Sequence, residues 1–243
     1  RRQRQMCIRD SLCAPKGATY PVHIGSLQST IDWTPPPSPS PEDGSVPILN
    51  SKPDSEFVIF CDFDGEVVTD PRWNSGITIN AAPLPLATDA SWVTAVFRRV
   101  AEDFMPFDIN VTTDVSVFES ADPEKRIQNV ITSTKSAAPT AGGVAYLNSF
   151  GEGTVCWTFN ASEYSCADTI SHEVGHTVGL GHDGLNTDSG APLEEYYAGH
   201  GDGETSWGPI MGAPRIFGIT GFENPNVTQW SIGEYTNASR QQD

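Results

Sequence analysis

From Phe57 to Phe63 the chain reads Phe57-Val58-Ile59-Phe60-Cys61-Asp62-Phe63, apolar at nearly every position. That is the pattern of a strand buried on both faces. Apolar residues then recur at helical spacing, at Trp92, Val93, Val96, Phe97, Val100 and Phe104. They predict a helix over 90–104, with Asp89 as its N-cap. Further strands are predicted at 109–113, 127–132, 144–148 and 155–159. A helix is predicted over 168–178 and a last one over 228–236. In the 168–178 helix Ile170, Val174 and Val178 form an apolar stripe, so one face can pack on a core while the opposite face borders a cleft. This order of elements predicts an α/β fold.

The cleft side of that helix carries the chemistry. His172-Glu173-Val174-Gly175-His176-Thr177-Val178-Gly179-Leu180-Gly181-His182 holds three of the chain's five histidines in the spacing H-E-x-x-H-x-x-G-x-x-H. Five fixed positions of these types should meet by chance in such a chain with a probability of roughly one in 10^5. Histidines at i and i+4 lie one turn apart on one helix face, which suits His172 and His176 as zinc ligands. A straight helix cannot easily bring the third ligand. Gly179 can take the left-handed conformation that ends a helix, and the turn returns His182 to the metal. Glu173 sits beside the metal as general base and then general acid, on a water whose pKa the zinc lowers. A structural zinc site does not need that neighbouring acid.

The stretch resembles the metzincin clan of zinc endopeptidases. The clan's downstream methionine turn has its counterpart in Trp207-Gly208-Pro209-Ile210-Met211-Gly212-Ala213-Pro214, with turn-forming residues on both sides of Met211. Asp183 after the third histidine is similar to the reprolysin or adamalysin type, and the rest of the chain is most similar to bacterial secreted members of it. Where the astacin and serralysin types carry a tyrosine after the methionine, this chain has Ala213. The resemblance covers about residues 48–239, specific at the zinc motif and weak elsewhere. It implies a zincin-like fold, with a twisted, mostly parallel five-stranded sheet, a backing helix, an active-site helix and a small irregular C-terminal subdomain. It also implies that the strand from Gly143 to Asn148 is the sheet edge lining the cleft, where an extended peptide can pair with Gly143, Val144, Ala145 and Tyr146. Residues after Met211, including Pro214 to Phe217, would wall the primed-side specificity pocket, and the sequence does not say whether Arg215 reaches it.

Acidic residues outnumber basic ones 31 to 14, for a formal charge of −17. That argues against nucleic acid or an anionic membrane as partner, and no apolar run is long enough to span a bilayer. Protein or peptide substrates, a monomer and a secreted location are expected. No signal peptide is visible, and the N-terminus is read as truncated. Residues 1–11 resemble translated adapter sequence and are set aside. Residues 12–47 read as a propeptide remnant that ends in a proline-rich linker from Thr34 to Pro47, and residues 48–243 as the catalytic domain. Cys61 is expected as a buried free thiol. Cys156 and Cys166 flank a short loop and are expected to form a disulfide, a sign of an oxidising compartment. Cys13 has no evident partner.

Softer signals remain. Asp183, Asp188 and Asp202 lie in glycine-rich loops that either bind calcium or are simply solvated. His200 is read as a loop residue. Asn110, Asn160, Asn226 and Asn237 stand in N-x-S/T sequons, Asn110 within a strand. Two other functions compete with the peptidase. One is a zinc-containing binding module without activity. The other is a magnesium-dependent phosphatase of the haloacid-dehalogenase type, suggested by Asp62-Phe63-Asp64-Gly65 after a strand. Glu66 stands where that family prefers threonine, and no later acidic pair completes its magnesium site. The structural alternative for Asp62 and Asp64 is that they end the strand and cap the next loop.

Overall fold

The computed structural model describes residues 46–186, 192–201, 203–212 and 227–231. The chain first forms β1 (Val58–Asp62), then a hairpin of β2 (Glu66–Val68) and β3 (Ile79–Ala81), and α1 (Ala90–Asp103). β4 (Asn110–Thr112), α2 (Val115–Ser120), β5 (Arg126–Ile131), β6 (Gly143–Val144) and β7 (Val155–Thr158) follow, and then α3 (Glu163–Thr177). The remaining elements are short: β8 (Leu185–Asn186), β9 (Pro192–Glu194), β10 (Trp207–Pro209) and β11 (Val227–Gln229). The main sheet has five strands in the order β4-β1-β5-β7-β6. The pairs β1–β4, β1–β5 and β5–β7 are parallel. Only β6 runs antiparallel, on the outer side of β7. Among the described residues no helix is long and apolar enough to cross a membrane.

Both faces of the sheet are covered, which is why its strands read as unbroken apolar runs. Ile59, Cys61, Ile127, Ile131 and Cys156 face one core with Val93, Val96, Phe97 and Val100 of α1 and Ile170 and Val174 of α3. On the other face Val130, Val155 and Trp157 pack against Val68, Ile79 and Ala81 of the hairpin, with Trp73. The alternation along β5 and β7 follows from the two-residue period of a strand. The α1 helix begins as its sequence predicts: the Asp89 side chain accepts from the backbone N–H of Ser91 at 2.9 Å and of Trp92 at 3.4 Å.

Four expectations need correction. Cys156 and Cys166 are both free, buried thiols. Their separation in sequence is taken up by the end of β7 and the first turn of α3, and the Cys156 sulfur instead accepts from Asn129 Nδ2 at 3.2 Å. α3 starts at Glu163, five residues before the predicted Asp168, because Ser162 accepts from the Ser165 N–H and caps the helix there. Val178 ends that helix and is 37 % exposed, so the buried stripe is Ile170 and Val174 alone. Residues 228 and 229, expected in a helix, lie in β11, which pairs in parallel with β10. Residues 232–236, like residues 1–45 with the proline-rich linker, Cys7 and Cys13, lie outside the described residues. Cys61 is a buried free thiol, as expected.

The Asp62–Gly65 motif is a turn device. Asp62 Oδ1 accepts from the backbone N–H of Asp64 at 3.2 Å and of Gly65 at 3.1 Å, and Gly65 has φ +93°. Asp62 Oδ2 accepts from Gln128 Nε2 at 2.8 Å, and the same amide donates to Glu66 Oε2 at 3.0 Å. The carboxylate is only 2 % exposed. A phosphate ester could not reach it as it could a nucleophile. Burial first, then Asp64 and Glu66, push the Asp62 carboxyl up to about 7 from the ordinary 3.8, against the Gln128 amide. A carboxyl raised in the folded chain stabilises that chain while protonated. Its contribution is full below about pH 4 and is lost as pH rises through the folded value. Asp62→Asn, uncharged throughout, is therefore expected to gain in melting temperature over the wild type as pH rises from 5 to 8. Thermal unfolding at stepped pH checks this, and a difference that does not vary with pH contradicts it.

Candidate metal centre and cleft

α3 carries His172, Glu173 and His176, and its end brings in His182. Gly179 takes φ +102°, which a glycine adopts without strain. Its N–H donates to His176 O at 2.9 Å, and the Leu180 N–H donates to Gly175 O at 3.0 Å. These two bonds make a Schellman motif, the predicted helix stop. The turn has a second effect: it presents the Leu180 carbonyl to His176 Nδ1 at 2.8 Å.

The other two rings are anchored in the same way. His172 Nδ1 stands 2.9 Å from Ile210 O, and His182 Nδ1 stands 3.0 Å from Glu195 Oε1. Each Nδ1 faces an oxygen acceptor, so in a neutral ring it is the nitrogen that carries the proton, and Nε2 is the nitrogen left to bind a metal. The Nε2 atoms of His176 and His182 are 3.1 Å apart. Two lone pairs at that distance repel unless a cation lies between them. The ligand atoms of all three histidines lie within 4.8 Å of one another. Burial, with the charge of His176, holds His172 down to about 3, and burial holds His176 down to about 4. Both are neutral at ordinary pH, the form a metal requires. The residues present therefore fit a metal ion, and among the described residues this is the one group of three or more His, Cys, Asp or Glu side chains with that geometry.

Glu173 is 5 % exposed, and burial raises its carboxyl to about 8. A divalent cation beside it would lower that value and free the carboxylate to accept a proton. Gly143 on β6 makes room for it. A Cβ there would stand 2.6 Å from Glu173 Oε1 and 2.5 Å from Thr169 Cγ2. Behind the helix lies Met211, fully buried in the turn Ile210–Gly212. A Cβ on Gly175 would meet its sulfur at 2.6 Å. The same turn supplies the Ile210 carbonyl that anchors His172.

β6 is the outermost strand of the sheet, as the edge assignment requires, but it is shorter than expected. Beyond Val144 the chain leaves the sheet and caps α3: Asn148 N–H donates to His176 O at 3.1 Å and Phe150 N–H to Thr177 O at 3.0 Å. Ala145 packs against the main core. Tyr146 is 41 % exposed, with its ring 4.5 Å from that of Trp73 and its hydroxyl donating to Arg72 O at 2.7 Å. Pro214, Ala213, Arg215, Asp188 and Asp202 lie outside the described residues.

Asp183 is buried and not solvated. It is 3 % exposed, its Oδ2 accepts from Ser231 Oγ at 2.7 Å and its N–H donates to Met211 O at 3.1 Å. His200 stands apart from the centre, in an antiparallel bridge with Trp207, and its Nδ1 lies 2.9 Å from Tyr197 Oη. Two residues at the site escaped sequence reasoning. Glu195 anchors the third histidine. Tyr196 lays its ring 4.3 Å from that of His182 and 6.4 Å from that of His172. Burial first, then Glu195 and Glu173, push its phenol up to about 12. The only sequence signal was the segment Tyr196-Tyr197-Ala198-Gly199-His200-Gly201 before the methionine turn, which names no role.

Residues 107–214 match the profile of the Peptidase M66 family. The span takes in β4, the cleft edge β6, all of α3, His182, Glu195, Tyr196 and Met211. No curated protein matches the chain. The chain is thus similar to a peptidase family over the part that holds the histidines, which supports a hydrolase acting on peptide bonds.

The anchoring geometry gives a direct test. Acceptors behind metal-binding histidines commonly contribute about 10–100-fold to metal affinity. Glu195→Ala is expected to weaken metal binding by that order while the chain still folds. Competition with a chromophoric chelator measures it, and an unchanged dissociation constant contradicts the role given to Glu195.

Proposed function

We propose that the chain is a zinc-dependent endopeptidase of the metzincin type. The observation that carries this reading is the convergence of one ligand nitrogen from each of three histidines, every Nδ1 facing an acceptor, beside a buried glutamate. Zinc suits three imidazoles with an open fourth position, and when bound it acidifies water and polarises a carbonyl. The match to a peptidase family supports peptide bonds as the substrate class.

In this reading His172, His176 and His182 hold the metal, and Met211 closes the floor beneath them. A peptide in extended form pairs with the backbone of Gly143 and Val144, so the enzyme grips main chain before side chain. Glu173 accepts the proton of the attacking water and delivers it to the nitrogen of the leaving amine. Gly143, with no Cβ, lets that carboxylate lie against the edge that holds the substrate. A secreted location belongs to the same proposal. It rests on the resemblance to secreted proteins and on the acidic surface, since Cys156 and Cys166 do not form a disulfide.

The test sets the full chain beside Glu173→Ala, measuring zinc content and cleavage of a denatured protein. The reading expects both to hold one equivalent of zinc and only the wild type to cut. Normal cleavage by the variant would sink the mechanism. Zinc in both with cleavage in neither would leave a binding module.

A further inference from the structure

The segment that carries Tyr196 is held on both sides. Before it, Glu195 is bonded to His182. After it, the Tyr197 N–H donates to Asp183 O at 2.7 Å, and the Tyr197 carbonyl lies where a Cβ on Gly212 would come within 2.3 Å. Gly199 follows at φ +98°, and a Cβ there would stand 2.1 Å from Trp207 O. Tyr196 is therefore pinned between the third histidine and the methionine turn. Its ring, tilted 38° to that of His182, borders the side of the triad that His182 and His172 make. Glu173 closes another side, against Gly143.

The reaction proposed above needs a donor at this place. Water bonds to the carbonyl carbon, its proton passes to Glu173, and the π pair of the carbonyl moves onto the carbonyl oxygen. A preorganised donor aimed at that developing anion lowers the barrier. The histidines cannot serve, because each gives its only N–H to Ile210, Leu180 or Glu195. Glu173 is accepting a proton. A neutral phenol is a donor of the right kind, held by its neighbours before substrate arrives. Resting on the peptidase reading, we infer that Tyr196 is a further catalytic residue, whose hydroxyl donates a hydrogen bond to the oxyanion of the tetrahedral adduct.

Tyr196→Phe tests this, because the ring stays against His182 and only the donor is lost. Four quantities separate the roles: kcat and KM on a fluorogenic peptide selected with the wild type, the dissociation constant of a phosphinic peptide of the same sequence, and that of zinc itself. Loss of one such donor commonly lowers kcat by about 10²–10³-fold. A fall of that order is expected with KM little changed, together with comparable weakening of the phosphinic peptide and unaltered zinc affinity. A kcat within about threefold of the wild type overturns the inference. So does a fall in kcat matched by an equal fall in zinc affinity, which would make Tyr196 a prop for His182. If the wild type binds zinc but neither cleaves peptides nor binds the phosphinic peptide, the peptidase reading falls and this inference with it. A wild type that does both, beside a variant that equals it, overturns the inference alone.

Discussion

Three hydrogen bonds on the far sides of three imidazoles set the chemistry of this protein. Each runs from Nδ1 to an acceptor, and each acceptor comes from a different part of the chain: Leu180 in the helix stop, Ile210 in the methionine turn and Glu195 in the segment between them. Any one of them fixes a tautomer and a ring orientation. Together they turn three nitrogens inward that would otherwise swing or carry protons. The cost is a cluster of electron-rich nitrogens that a cation would relieve.

The rest of the molecule keeps α3 in place for this. Its inner side is part of the main core, with Ile170, Val174 and Cys166 fully buried against the sheet and α1. Ser171 Oγ donates to Asp103 Oδ2 at 2.6 Å, tying the helix to the end of α1. Trp230 Nε1 donates to Asp103 O at 2.7 Å, and its ring packs near Gly175 and Phe104. Ser231 reaches Asp183, the neighbour of the third histidine. The helix is thus gripped by the sheet on one side and by the methionine turn and C-terminal segment on the other. A side chain larger than hydrogen at Gly175 would force these apart, because Met211 already fills the space.

Local chemistry was legible in the sequence wherever it depended on spacing along one element. The H-E-x-x-H pattern placed two histidines and an acid on one helix, and Gly179 marked the helix stop that returns His182. The apolar run at 57–63 and the helical spacing at 92–104 gave β1 and α1. What escaped depends on contacts between distant segments. Nothing in Glu195 or Tyr196 marks them as neighbours of His182, thirteen and fourteen residues earlier in the chain. The pair Cys156 and Cys166 looked like a short bridged loop, because the early start of α3 depends on the Ser162 cap within a polar stretch. β11 looked helical because three residues carry too little pattern to show a pairing with β10. The shortness of β6 has the same origin, since what draws residues 148–150 away from the sheet is the open end of α3.

In the proposed enzyme the Nε2 atoms of His172, His176 and His182 form a ready-made seat for one zinc ion. Crystals of the zinc-loaded protein measured on either side of the zinc absorption edge test it most directly. A single anomalous peak is expected about 2.0–2.1 Å from Nε2 of each of His172, His176 and His182, with each Nδ1 still on its acceptor. A peak elsewhere, or ligation through any Nδ1, would contradict it.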